Sequence, residues 1–341
     1  MAIEKELLDL KQREGKMKEE SRQLPAVRFE RDEARAQLEK IELEKTAIEK
    51  EVREIRSEVE IYRARLWAPP GHYHSPITDP HDPFVRQTSI QNLDALKSRP
   101  DFKLDDAAML RLVQWLGEQG AQFPFPAEPN PKWRYYTGNG QMSHADAEIF
   151  FAMMLEYKPA RFVEIGCGHS SLLAMDTNDH FLGGAADMTF FDPRPDVILS
   201  LLGPNDAYRE RVHARRSHDV PEKVFEGLKR GDMLALNTSH VAKTGSDVCD
   251  VLFRVLPLLS PGVLVYIHEI FYPFEYPESW VVGENRSWNE TYLLRAFLQY
   301  NNAFRIVLFN NYVLRSFRDA MNAAFPGLED IGASGLWLER C

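Results

Sequence analysis

Apolar side chains recur at alternating intervals of three and four residues in the first part of the chain, most regularly between Leu38 and Leu66. The two core positions are filled by Leu38, Lys45, Val52, Val59 and Leu66 and by Ile41, Ile48, Ile55 and Tyr62. This spacing over four heptads predicts an α-helical coiled coil. Isoleucine at the second position favours three strands over two, so we expect a homotrimer first and a dimer second.

The same frame extends back towards the first residue with less support. In that stretch the second core position of the heptad holds charged side chains, and Pro25 removes a helical hydrogen bond. We therefore expect a strong coil from about Ala34 to Leu66, preceded by a weaker, interrupted helix, and we assign residues 1–66 to an oligomerisation stalk. A single solvated helix or a disordered charged arm is the alternative.

Residues 67–142 form a second region, rich in proline and aromatic side chains, which we interpret as a cap on the substrate side. An amphipathic helix is predicted from Asp105 to Glu118. His72, Tyr73 and His74 are adjacent side chains that can hydrogen-bond a polar ligand. The alternative is a turn whose histidines face water.

From Ser143 onwards, short β-rich apolar runs alternate with helical patterns. Ser143 followed by Asp146 marks a helix start of the capping-box type. Strands are expected near 161–165, 188–192, 211–215, 232–237, 262–270, 305–311 and 335–339. This alternation predicts an α/β domain over residues 143–341, with a mostly parallel seven-stranded sheet whose ligands bind beyond the carboxyl ends of the strands.

The first of these strands runs into a glycine-rich turn. Glu164, Gly166 and Gly168 are followed by Ser170 at the start of a predicted helix. Glycine lets the backbone approach a ligand closely, so the turn indicates a nucleotide-binding site. A dinucleotide fingerprint would require a third glycine where this chain has Ser171.

Two acidic residues follow the next strands. Asp192 ends the second strand, where a carboxylate can accept two hydrogen bonds from a ribose diol; capping the next helix is the alternative. Asp219 follows the third strand, where it either contacts the base of a nucleoside or caps the following helix.

Polar side chains also end the fourth and fifth strands. Asn237, His268 and Glu269 form an oxygen and nitrogen ligand set for a divalent ion such as Mg²⁺ or Mn²⁺, which would lower the pKa of an acceptor alcohol. A general-base histidine would serve the same end without metal, with His268 the first candidate and His240 the second. The alternative is structural, with His268 and Glu269 satisfying each other.

Charge and cysteine content narrow the class of protein. The net charge is −10, of which residues 1–66 carry only −1, so the body of the chain is acidic and nucleic acid is excluded as a substrate. Three widely separated cysteines predict a reducing compartment. The start has no apolar signal-peptide core and no membrane-spanning stretch occurs, so we predict a cytoplasmic protein, with peripheral association with a membrane complex left open.

Residues from about Leu66 to Arg340 resemble the class I S-adenosylmethionine-dependent methyltransferases of bacterial surface-glycan gene clusters, which are related in motif to macrolide-sugar O-methyltransferases and to cephalosporin hydroxylase-like proteins. The matching blocks are Pro69-Pro-Gly-His72 with Ser75-Pro76, Tyr135-Tyr136 with Asn139, Glu164-Ile-Gly-Cys-Gly168, Ser239-His-Val-Ala-Lys-Thr-Gly-Ser-Asp247, Pro261-Gly-Val-Leu-Val265 with His268, Tyr272-Pro-Phe-Glu-Tyr-Pro277, and Trp288-Asn289-Glu290 before Tyr292-Leu-Leu-Arg295.

The resemblance implies a Rossmann-like methyltransferase sheet that binds S-adenosylmethionine. It implies that the cofactor site holds Glu164, Gly166, Gly168, Ser170, Asp192 and Asp219, and that the acceptor side holds His72, Tyr73, His74 and Tyr136 together with the fourth and fifth strand ends. Asn237 and Glu269 are usually aspartate in such proteins, and a neutral amide binds Mg²⁺ less well than a carboxylate.

The expected function is O-methylation of a sugar or glycan hydroxyl, with capping or modification of a surface polysaccharide as its setting. The rival hypotheses are a catalytically degenerate scaffold that recruits partners through the coil, and an oxidoreductase or hydroxylase-like enzyme on the same fold.

Overall fold

The computed structural model describes residues 2–89, 102–328 and 332–341. The chain divides into two units, Met1–Ser75 and Pro76–Cys341. No helix within the described ranges is long and apolar enough to cross a membrane.

The first unit is dominated by a single helix, α1 (Ala2–Ala64), which continues through Pro25. The expected interruption there is wrong. Proline removes one backbone hydrogen bond, whereas the surrounding glutamate, lysine, arginine and leucine residues favour a helix, and pairs four residues apart such as Lys18 with Glu14 add support. Along the predicted seam the side chains are exposed in a single chain, Leu38 by 58% and Ile48 by 59%.

The second unit begins with helices that precede the sheet. Its helices are α2 (Pro83–Ser89), α3 (Asp106–Gly120), α4 (His144–Tyr157), α5 (His169–Phe181), α6 (Asp196–Leu201), α7 (Glu222–Glu226), α8 (Asp247–Asp250), α9 (Leu256–Leu258), α10 (Glu290–Tyr300), α11 (Asn310–Ser316) and α12 (Arg318–Ala324). A π-helical turn, Val251–Val255, joins α8 to α9, and a second one spans Ser279–Gly283. Short 3-10 turns cover Thr137–Asn139, Ala207–Arg211 and Ser217–Asp219.

One seven-stranded sheet forms the centre of this unit, as the sequence predicted. Its strands are β1 (Arg161–Ile165), β2 (Asp187–Asp192), β3 (Val212–Ala214), β4 (Met233–Leu236), β5 (Leu264–Ile267), β6 (Phe304–Phe309) and β7 (Leu336–Arg340). The order is β3-β2-β1-β4-β5-β7-β6, with β7 antiparallel to both neighbours and the other pairs parallel. The order reverses between β1 and β4, which is where ligands bind in open α/β sheets.

The strand register brings three carboxyl ends side by side. Ile165 pairs with Leu236, and Leu236 pairs with Ile267. All four residues of β4 and of β5 are buried, as expected for strands covered by helices on both faces. The residues that follow these three strand ends therefore form a row across the middle of the sheet.

A buried carboxylate fixes the start of α4. Ser143 caps the helix by accepting a hydrogen bond from the Asp146 amide at 3.0 Å, as predicted. The Asp146 side chain is 1% exposed and accepts hydrogen bonds from Asn310 Nδ2 and from the backbone amides of Ser334 and Gly335. These charged hydrogen bonds tie α4 to the chain just before β7, and so hold the helical layer against the sheet.

Candidate functional site

The turn after β1 requires glycine for steric reasons. Gly166 has φ of +82°, and a Cβ at this position would lie 1.7 Å from the carbonyl oxygen of Asn237. A Cβ on Gly168 would lie 3.7 Å both from Gln141 Oε1 and from Asn237 Nδ2, so two amide side chains flank the turn. Because the two glycines have no side chains, a polar ligand can approach the backbone of the turn closely, next to the two side-chain amides.

Glu164 supports this turn from inside the protein. It is 1% exposed, and its two carboxylate oxygens accept hydrogen bonds from the Ser170 and Ser171 hydroxyls at the start of α5. Burial raises the pKa of Glu164 to about 7, although the two hydroxyl bonds act in the opposite direction. Glu164 and Ser170 thus bond each other, and direct contact of either with a cofactor stays a prediction.

Asp192 lies beside the same turn at the end of β2. Its carboxylate accepts hydrogen bonds from the Cys167 amide at 3.0 Å and from the Arg194 amide at 2.7 Å. It does not cap α6, which starts without a side-chain cap. Each carboxylate oxygen has a second lone pair, so the half-buried Asp192 can still accept two hydroxyl donors.

Asp219 is exposed in the 3-10 turn after β3. The helix that follows, α7, begins at Glu222 with Pro221 at its N-cap and has no side-chain cap, so the capping alternative for Asp219 is wrong. Contact of Asp219 with a nucleoside base stays a prediction.

A buried ionic triad joins the β4 and β5 ends to the start of α10. His240 Nε2 lies 2.7 Å from Glu269 Oε2, and His240 Nδ1 lies 2.8 Å from Glu290 Oε2. The Thr238 hydroxyl also donates to Glu290, and the Trp288 ring stacks on the imidazole at 4.4 Å between centroids. Three segments that are distant in sequence are held together by these contacts.

The triad determines what His240 can do. Burial alone would lower the pKa of His240, but its hydrogen bonds to Glu269 and Glu290 outweigh this and raise the pKa to about 9. An imidazolium with both N–H groups bonded to carboxylates has no lone pair with which to accept a proton. These bonds hold His240 between the ends of β4 and β5 and the start of α10, and a role as a base stays a prediction.

His268 has the opposite environment. Its side chain is 6% exposed, and neither ring nitrogen has a hydrogen-bond partner within the described part of the chain. Burial lowers the pKa of His268, which favours the neutral ring with a lone pair. Because Glu269 bonds His240, the structural alternative in which His268 and Glu269 satisfy each other is wrong.

His268 follows the end of β5, two strands away from the glycine turn. Its amide donates to the Leu236 carbonyl, and Asn237 donates to the Ile165 carbonyl in the same manner. Neighbouring strands are about 4.8 Å apart, so the backbone of His268 lies roughly 10 Å from that of Gly166, with Asn237 between them.

The predicted metal ligands Asn237, His268 and Glu269 follow the ends of β4 and β5. No cluster of three histidine, cysteine, aspartate or glutamate side chains suited to a metal ion occurs in the ranges described. Of the set Asn237, His268 and Glu269, the carboxylate is bonded to His240, so a cation would have to compete with the buried imidazolium. Binding of a divalent ion at this set stays a prediction.

The predicted acceptor-side residues fall into two groups. Tyr136 is half-buried, with its ring edge-on to His169 at 5.7 Å, and His169 Nδ1 is bonded to Gln141 Oε1 at 2.9 Å, so Tyr136 does lie near the turn. The rings of His72, Tyr73 and His74 belong to the first unit, where they are exposed and contact one another. An acceptor role for these three stays a prediction.

Sequence reasoning gave no role to Gln141, Trp288 or Glu290. A buried glutamate at a helix start has no local signature, because its partner lies 50 residues away. Backbone geometry marks the same region: of five non-glycine residues with positive φ in the described ranges, His240, Glu269, Phe274 and Asn285 lie in the segments after β4 and β5. Such conformations cluster at functional sites.

No protein-family model matches this chain. An uncharacterized protein of Archaeoglobus fulgidus is 33% identical over 133 residues, which cover 38% of this chain and 60% of that protein. The chain thus matches about three fifths of this relative's length.

Several solved structures are similar at low identity. A methyltransferase of Podospora anserina bound to S-adenosylhomocysteine is 14% identical, with a TM-score of 0.37 and coverage of 73% of this chain and 94% of that one. Human N-acetylserotonin methyltransferase with S-adenosylmethionine is 14% identical, with a TM-score of 0.34 and coverage of 57% and 52%. A DUF574 family protein of Streptomyces avermitilis is 13% identical, with a TM-score of 0.37 and coverage of 71% and 100%.

The fold class rests on the strand order of this chain itself. The single antiparallel strand β7 lies between β5 and β6 in an otherwise parallel sheet. This is the seven-stranded Rossmann-like sheet of methyltransferases, and the fold prediction is confirmed.

Proposed function

We propose that the protein is an S-adenosylmethionine-dependent O-methyltransferase that acts on a hydroxyl of a sugar or glycan. The observation that carries the proposal is His268, a buried imidazole with two unbonded nitrogens in the same row as Asn237 and the glycine turn. A lone pair held in a buried site two strands from a nucleotide-type turn suits removal of a proton from an alcohol.

The residues around the turn fit the cofactor. Gly166 and Gly168 leave the backbone open, and Asp192 has lone pairs for two ribose hydroxyls at the end of β2. Gln141 and Asn237 offer amide groups on either side of the turn. When bound, S-adenosylmethionine supplies an electrophilic methyl group on its sulfonium.

In the proposed reaction His268 takes the proton of the acceptor hydroxyl as the new oxygen–carbon bond forms and the carbon–sulfur bond breaks. The resulting imidazolium lies next to the triad of Glu269, His240 and Glu290, whose net charge is −1 when His240 is protonated. A net negative neighbour stabilises this imidazolium, as a carboxylate does in a hydrolase triad. The triad thus contributes charge and position, and no step requires a cation.

The proposal that the acceptor is a sugar or glycan comes from the resemblance to glycan-modifying methyltransferases. A buried, unbonded histidine is consistent with an alcohol as the acceptor group. Modification of a surface polysaccharide in the cytoplasm would be the setting. The full chain should transfer label from methyl-labelled S-adenosylmethionine to a polysaccharide or glycoside, in a form stable to alkali because the product is an ether. Binding of the cofactor with no transfer to any hydroxyl would favour the scaffold hypothesis, and failure to bind the cofactor would reject the proposal.

We also propose that α1 assembles the chain into a homotrimer by coiled-coil pairing of its exposed seam. Several sites on one stalk would raise the effective concentration of a polymeric acceptor. Ile48→Lys with Ile55→Lys, two seam positions, should reduce the mass measured by light scattering to that of one chain. Leu43→Lys, at a more exposed position outside the seam, should leave the assembly intact. Equal masses for both variants would contradict the proposal that the chains assemble through this seam.

A further inference from the structure

The segment between β5 and α10 contains an aromatic cluster that is separate from the main core. Phe271, Tyr276 and Val281 are its buried members, with Trp280 and Trp288 packed against them. The two indole rings meet edge to face at 5.4 Å between centroids. Interlocked rings of this kind form rigid walls, because their preferred geometry restricts them on several sides.

The backbone of this segment is unusual as well. Phe274 has φ of +69° and Asn285 has φ of +53°, and the π-helical turn Ser279–Gly283 lies between them. Non-glycine residues in the left-handed region cost of order 1–3 kcal/mol each, and π-helical turns recur at functional sites. The segment therefore holds an energetically costly shape that its packing maintains.

Next to this segment lies a cavity of about 270 Å³, open to solvent on one side, between α2, the π-helical turn and the start of α10. Its apolar walls include Val281 and Trp288, and the rings of Phe84 and Tyr292, which are 74% and 45% exposed, also line it. Pockets for drug-sized ligands measure about 300–1,000 Å³, so this one suits a single ring.

The polar groups of the cavity are balanced in charge. The Tyr292 hydroxyl donates to the Glu275 carboxylate. The Arg286 guanidinium pairs with Glu284 at 2.6 Å and lies 4.2 Å and 4.8 Å from the centres of the Trp280 and Trp288 rings. The lining thus holds one acidic and one basic side chain, Glu275 and Arg286, so it offers hydrogen-bond donors and acceptors to a ligand without net charge.

One ring connects the cavity to the candidate catalytic end. Trp288 lines the cavity and stacks on His240. His240 is bonded to Glu269, which directly follows His268. A ligand in the cavity would therefore lie against the same wall that fixes the β5 end.

We propose that this cavity binds one uncharged pyranose ring of the acceptor, with its apolar face against the aromatic walls and its hydroxyls on Tyr292, Glu275 and Arg286. Aromatic walls with matched polar groups fit a ring that has apolar C–H faces and a polar rim. The role as acceptor site rests on the proposed function; binding of the sugar itself does not.

Saturation-transfer NMR on the full chain tests the proposal with a mixture of methyl hexopyranosides as the probe. Signals should appear with the unmodified protein. Tyr292→Phe, which removes one hydroxyl, should weaken the apparent affinity by roughly 3- to 10-fold, as expected for one hydrogen bond. Val281→Trp, which fills the cavity, should abolish the signals.

Tyr300→Phe is the matched control, since this tyrosine lies on the same helix, is 88% exposed and is not part of the cavity lining. It should leave the signals unchanged. The assignment would be overturned if no pyranoside gave a signal, or if the signals were equal in Tyr292→Phe and Tyr300→Phe. It would also be overturned if catechol, an aromatic diol used as a second probe, gave a cavity-dependent signal and the pyranosides gave none. Calorimetry with S-adenosylmethionine separates the two proposals: sugar signals without cofactor binding would retain the cavity and reject the methyltransferase.

Discussion

The two sides of the candidate site are built in different ways. The turn side, from β1 to the end of β2, is continuous in sequence and depends on backbone shape, with Gly166 leaving space and Asp192 bonded to the Cys167 amide. The opposite side joins the ends of β4 and β5 to α10 through buried charges whose partners are up to 52 residues apart. A local pattern can specify the first side, whereas the second depends on the whole fold.

This difference has an energetic counterpart. Removing one member of a buried ion pair leaves an uncompensated charge and costs about 3–5 kcal/mol, whereas loss of a hydrogen bond to a charged group costs about 1.5–3 kcal/mol. Substitutions on the triad side should therefore act on the rate and on folding, and substitutions on the turn side should act mainly on cofactor affinity.

The largest effect is expected at His268. His268→Ala should lower the methyl-transfer rate by about 10²–10⁴-fold if the imidazole is the base, because His240, the other histidine near these strand ends, has both ring nitrogens bonded to carboxylates. The exposed His218 on the same side of the sheet provides the control, His218→Ala, with an unchanged rate. If chelation abolishes turnover and Mg²⁺ or Mn²⁺ restores it, a cation is the activator instead.

Glu290 should have the next largest effect, on stability. Glu290→Ala leaves the His240 imidazolium with one carboxylate partner and should lower the free energy of unfolding by about 3–5 kcal/mol in denaturant titrations. Glu284→Ala, which removes a half-exposed carboxylate, should change it by less than about 1 kcal/mol. Equal stabilities of the two variants would mean that the triad is not a buried ionic unit.

Stability should also depend on pH through His240. Its pKa rises from 6.5 in the unfolded chain to about 9 in the folded one, so the folded state binds the proton more tightly. The stabilisation, on the order of 3 kcal/mol, is complete below pH 6.5 and is lost as the pH rises through 9. Denaturation curves at pH 7 and 9 should show this decline, and His240→Gln should flatten it; an unchanged decline would contradict the assignment.

The same contrast explains what the sequence could predict. Strand positions followed from apolar runs, and all seven strands overlap the predicted ranges, with ends that differ by up to three residues. The turn and Asp192 followed from spacing within one β-α-β unit. The pairing of Glu290 with His240 could not be predicted, because the sequence around a charged residue does not indicate which distant residue it will pair with. Pro25 shows the reverse error, in which a strong local rule was outweighed by the helix around it.

Calorimetry of S-adenosylmethionine binding to the full chain tests the central claim most directly. The unmodified protein should bind, and Asp192→Ala should weaken binding by about 1.5–3 kcal/mol, since it removes the carboxylate proposed to hold the ribose. The matched control is Asp196→Ala, which removes an exposed carboxylate in the first turn of α6 and should leave the affinity for the cofactor unchanged. Unchanged affinity in Asp192→Ala, or no binding by the unmodified protein, would contradict the account.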